Sequence, residues 1–159
     1  TEEKARRLLT KKLNMRAEKD GLDFDCFRAV VGNTFDAHRL SKFARARGVD
    51  MTGSLFDACF RDGRDLSDHA VLKSLAEEAG LGGKDTESVL NGSDYASDVR
   101  RDEDEAARFG IRAVPYFGVD RTYGISGMKS LTLFRYALKD LLRKANIGYT
   151  SPAVENDGE

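Results

Sequence analysis

Residues 110–127, GIRAVPYFGVDRTYGISG, constrain this chain more than any other stretch. Pro115 is one of only two prolines in the 159 residues and sits between two apolar runs. Ile111 to Val114 lead in, and Tyr116, Phe117 and Val119 follow with the β-branched and aromatic composition of a strand before Asp120. Tyr123 and Ile125 then alternate with smaller residues up to Gly127, which predicts a β-hairpin entered through a proline. Leu131 to Leu142 has the apolar spacing of a helix. By itself an X-Pro bond is trans in the great majority of proteins, and a proline here fits the edge of a strand.

Everything ahead of this block reads as helix. Ala5, Leu9, Leu13 and Ala17 recur every four residues, with Leu8 widening the stripe and Gly21 standing at the C-terminal cap, so a helix is expected over 2–19. Leu22, Phe24 and Cys26 alternate and suggest a short extended segment packed against helices. In the string NTFDAHRL, Asn33 or Thr34 is a good N-cap, and Phe35, His38, Leu40, Phe43 and Ala44 trace an apolar face up to Gly48. A helical piece around Leu55 to Phe60 ends in the turn Asp62-Gly63-Arg64-Asp65. Ser67 then caps a helix carrying Val71, Leu72, Leu75, Ala76 and Ala79 on one stripe. A short helix near 85–90 and a longer one over 94–109 complete the run. The second holds the charge run Asp98 to Glu105, with Arg100–Asp104 and Arg101–Glu105 at i,i+4 spacing. Carboxylates spread round a helix with arginines between them form a solvated face rather than an acid–base pair.

The chemistry-bearing inventory is thin. Cys26 and Cys59 lie 33 positions apart, each in an apolar cluster, and neither belongs to a C-x-x-C motif. Two buried free thiols acting as small hydrophobes, or one Cys26–Cys59 disulfide, are both open at this point. His38 and His69 offer no spacing that would complete a metal site, so no metal is expected. The formal charge of −1 gives no electrostatic reason to expect nucleic acid or an anionic membrane as partner. No apolar run approaches the ~20 residues of a membrane span, and the charged start TEEKARRLLTKKL is no signal peptide, so a cytoplasmic location is expected.

The Val-Pro step, the hairpin and the helix after it resemble the C-terminal half of a thioredoxin fold. Together with NTFDAHRL and FRDGRDLSDHAVLKSLAEEAGL, the chain from about 2 to 142 is similar to the FrnE-like branch of the DsbA family, which inserts a helical domain into that fold. The resemblance implies an α/β fold class, with this chain mostly α-helical and ending in a β-hairpin and helix. It places the helical insertion over 1–109, the C-terminal half of the thioredoxin fold over 110–145, and a polar tail over 146–159. It makes Val114-Pro115 a cis-proline step facing the reactive cysteines, leaving the Val114 backbone free to pair with an extended substrate. It also places Asn33 and His38 at the substrate cleft, although a capped helix with a packed histidine explains those two equally from the residues alone.

The function implied is thiol–disulfide exchange with a substrate protein or a small thiol or disulfide, without a bound cofactor. A glutathione-dependent isomerase of the 2-hydroxychromene-2-carboxylate type shares the insertion and is the alternative, with glutathione as cofactor; a non-catalytic peptide- or partner-binding module is another. A family member of full length opens with a βαβ unit bearing C-x-x-C, which is not in this sequence. The chain is therefore expected to be a fragment, inactive alone, with no catalytic residue of its own. A homodimer would cover the open sheet edge.

Overall fold

The structure, a computed structural model, describes residues 2–119 and 123–144. The chain divides into two compact units, Thr1–Ala106 and Ala107–Glu159. Within the described residues there are seven α-helices, a single π-helical turn and a two-stranded sheet. None of these helices is long and apolar enough to cross a membrane. The expected tail over 146–159 and the hairpin's turn at 120–122 lie outside the described residues.

The first unit is built on α2 (Phe35–Ala46), α4 (His69–Glu78) and α5 (Gly83–Asn91). Leu40, Phe43 and Ala44 of α2, Leu72, Leu75 and Ala76 of α4, and Val89 and Leu90 of α5 meet in one core with Met51 and Leu81. Leu40, Phe43, Met51 and Leu72 are fully buried, and each such side chain contributes about 2 kcal/mol of hydrophobic stabilisation. The apolar stripes predicted for α2 and α4 thus point at one another. Both helices close alike: the N–H groups of Gly48 and Val49 return to Arg45 and Ala44, and those of Gly80 and Leu81 to Glu77 and Ala76. This closure needs a left-handed residue, supplied by Gly48 at φ 76° and Gly80 at φ 83°.

The other helical elements ahead of the hairpin are α1 (Glu2–Lys19), α3 (Thr52–Phe56), the π-helical turn Asp57–Arg61, and α6 (Ala96–Arg108). Helix α1 has the expected bounds, but its stripe does not find a core. Leu8, Leu9 and Leu13 are exposed, whereas Ala17 is buried. The segment after α1 forms no strand. Instead Arg28 N–H bonds to Asp25 O at 3.1 Å, and the Asp25 carboxylate takes the N–H of Phe27, folding the chain into a turn. The cap of α4 is Asp68, whose carboxylate accepts from Ala70 N–H at 2.8 Å, not Ser67. Ser67 is held instead by Asp65, which accepts its hydroxyl at 2.6 Å. On α6 the arginines pair at i,i+3, Arg100 with Glu103 and Arg101 with Asp98, each at 2.6 Å.

The second unit contains β1 (Tyr116–Val119), β2 (Tyr123–Ser126) and α7 (Leu131–Lys144). The strands are antiparallel, with Tyr116 opposite Ser126 and Val119 opposite Tyr123. Phe117 meets Phe134 of α7 edge to face at 4.8 Å, and the Lys144 ammonium lies 5.4 Å over the Tyr123 ring. No described residue of this unit is buried.

Candidate functional site

The Val-Pro step stands immediately ahead of β1. The Val114–Pro115 peptide bond is cis. Pro115 O accepts the N–H of Gly127 at 2.8 Å, which extends the hairpin by one bond beyond the ladder. Val114 is 88% exposed, and neither its N–H nor its C=O has a hydrogen-bond partner among the described residues. Pro115 brings no N–H of its own. An open amide at the end of a strand can accept the backbone of an extended chain.

The helical unit carries Asn33 and His38. The Asn33 side chain accepts the N–H of Phe35 at 2.9 Å and so opens α2, while Thr34 occupies the cap position without a side-chain bond. His38 is exposed rather than packed on the helix's apolar face. Its ring borders a cavity of about 280 Å³ that is walled mainly by Leu55, Phe56, Phe60 and Leu66, with Cys59 also at its wall. Asn33 is not part of that wall. The two residues therefore do different work within one helix start.

The thiols do not supply an activated nucleophile. Both are free and half-buried, where sequence patterning suggests full burial. Burial pushes the Cys59 thiol above its ordinary range. Burial does the same to Cys26, with the charges of Asp25 and Cys59 adding to the effect. A catalytic thiol needs the opposite, an electropositive setting that favours the thiolate.

Among the described residues, the least exposed charged group is one the sequence did not flag. Arg39, 4% exposed, donates to the carbonyls of Val89, Gly92 (2.8 Å) and Asp94 (2.9 Å), and through Nη1 to Asp36 at 2.8 Å. Asp36 in turn stands 2.7 Å from Nε2 of His69, at the start of α4. Burial opposes ionisation of Asp36, but the bonds from Arg39 and His69 outweigh it and hold the carboxyl below its usual range. Asp36 and Arg39 are i,i+3 neighbours within NTFDAHRL, which is a visible signal. His69 is 33 positions from Asp36, and nothing local announces that contact. The network satisfies the carbonyls around the end of α5 and is structural.

Comparison with known proteins follows these features. A family model described as a DSBA-like thioredoxin domain matches residues 2–139. None of the curated proteins matches the sequence. The family match runs through both units, from α1 into α7, and takes in the Val-Pro step, the hairpin and the helical unit alike. The chain belongs to the DSBA-like thioredoxin domain family, a family of thiol–disulfide oxidoreductase type.

Proposed function

We propose that this chain is the substrate-holding part of a FrnE-like thiol–disulfide oxidoreductase. An extended substrate pairs with the open backbone of Val114 beside Pro115. The observation that carries this is the exposed Val114 amide at the entry to β1, without a partner among the described residues, in a chain whose family is of the oxidoreductase type. The reacting thiolate is not one of the two described here, since both are shifted toward the neutral thiol. By itself the chain binds without turnover.

The test is direct. The chain should fail to reduce insulin with a dithiol supply, yet bind an unfolded, cysteine-containing peptide. Amide shifts in an NMR titration with that peptide should centre on Val114. Val114→Pro removes the N–H, and one hydrogen bond is worth about three- to tenfold in affinity. Turnover by the chain alone, or shifts that leave 111–117 unmoved, would overturn the proposal. The two failures differ: turnover assigns a reactive thiol to this chain, whereas unmoved shifts leave it a binding module with another site.

A further inference from the structure

Cys26 and Cys59 come from segments far apart in sequence, and the fold lays those segments side by side. Asp25, next to Cys26, donates its N–H to the carbonyl of Phe60, next to Cys59, at 2.8 Å. The Phe24 and Phe60 rings lie 4.5 Å apart. Arg28 Nη1 reaches the Arg61 carbonyl at 3.4 Å. Contacts therefore lie on both sides of Cys26 and immediately after Cys59. The hydrogen bond makes Asp25 and Phe60 direct neighbours in space, and Cys26 and Cys59 are the residues adjoining them in sequence. Cys59 lies in the π-helical turn Asp57–Arg61, an irregular helix whose wider winding gives its side chains other directions than an α-helix does. Neither sulfur is committed to a bond, and each is half-buried rather than sealed in the core. The charge of a Cys59 thiolate is also felt at Cys26, since Cys59 is one of the groups that raise it.

We propose that Cys26 and Cys59 are a redox-convertible pair that closes into an intramolecular disulfide when a low-molecular-weight disulfide reaches the cavity beside His38. Cys59 borders that cavity and lacks the carboxylate neighbour that Cys26 has in Asp25, so it reacts first. Its thiolate attacks one sulfur of the small disulfide, forming a mixed disulfide and releasing one small thiol. The Cys26 thiolate then attacks Cys59 Sγ, forming the Cys26–Cys59 bond and releasing the second small thiol. Two protein thiols and one small disulfide become one protein disulfide and two small thiols, so electrons and protons balance. The product ties the turn after α1 to the π-helical turn, closing a loop between positions 26 and 59. This inference rests on neither the family's activity nor the Val114–Pro115 step.

The experiment is to incubate the chain with excess oxidised glutathione under mildly alkaline, non-denaturing conditions and measure intact mass and free thiols. The expected result is a chain lighter by two hydrogens, with reactive thiols falling from two to none. Trypsin should then release the peptide 20–28 joined to the peptide 48–61, and the product should remain monomeric on a non-reducing gel. Cys26→Ser should stop at the mixed disulfide on Cys59, one glutathione heavier, and the oxidised wild type should melt at a higher temperature than the reduced. A chain carrying two glutathiones, a disulfide-linked dimer, or two thiols left unreacted while a denatured control reacts fully would each overturn the proposal. These readouts are made on the wild-type chain, so they do not depend on the variant folding.

Discussion

Arg39 shows how much one buried side chain decides. It is nearly inaccessible, and its guanidinium meets three carbonyls and the Asp36 carboxylate. Removing it strips the three carbonyls of this donor and leaves Asp36 with His69 alone, which costs more than the net worth of the bonds themselves. Arg39→Met should lower unfolding free energy by about 3 kcal/mol in urea denaturation at neutral pH. The deficit should narrow in acid. Asp36 is held below its usual range, so the stability it confers is present above the unfolded carboxyl value of about 3.9 and disappears as pH falls through the lower folded value. A deficit that stays constant from neutral pH to pH ~3 would show that Asp36 takes no part. Arg39 reads as an ordinary helix-surface arginine paired with Asp36, because its carbonyl acceptors lie 50 to 55 positions further along the chain.

At the level of elements, periodicity was the most readable signal, and caps were the least. The stripe of α4 is clear in the sequence, but two adjacent cap candidates, Ser67 and Asp68, compete at its start. Asp65 decides between them by taking both the Ser67 hydroxyl and its N–H, which leaves Asp68 to receive Ala70. Asp68→Ala should therefore cost about 1 kcal/mol in thermal or urea unfolding, while Ser67→Ala should cost less. Equal losses in the two variants would reverse the assignment. The segment over 22–31 went the other way from its pattern. Its alternation suggests extension, yet the Asp25 carboxylate accepts the Phe27 N–H and Asn14 of α1 anchors Asp25 and Cys26, so the chain turns. Short polar side chains that bond their own backbone override a weak two-residue period.

For the whole molecule, burial is unevenly divided. The first unit holds a contiguous core, whereas the described residues of the second hold none. Leu131, Leu133, Tyr136 and Leu138 of α7 are exposed, as are Leu8, Leu9 and Leu13 of α1. Opening free energy follows buried apolar contact. Amide hydrogen exchange should therefore show strong protection in α2, α4 and α5, and much weaker protection in β1, β2 and α7. Uniform protection across both units would contradict this division. In practice the family match and the burial map describe different things: the first tells what the chain descends from, the second which part of it is stable.

The sequence by itself determined the order of the helices, the hairpin entered through Pro115, the apolar stripes of α2 and α4, and the family resemblance carried by NTFDAHRL and GIRAVPYFGVDRTYGISG. These are local patterns, set by side-chain period, turn residues and caps within a few positions of each other. Only the tertiary structure decided that His38 borders a cavity instead of packing on its helix, that Arg39 is buried, that His69 meets Asp36, and that Cys26 and Cys59 lie on adjoining segments. Each depends on residues tens of positions apart being brought to contact distance. Burial, pairing and the shift of a thiol or carboxyl are properties of those contacts, and no local pattern encodes them.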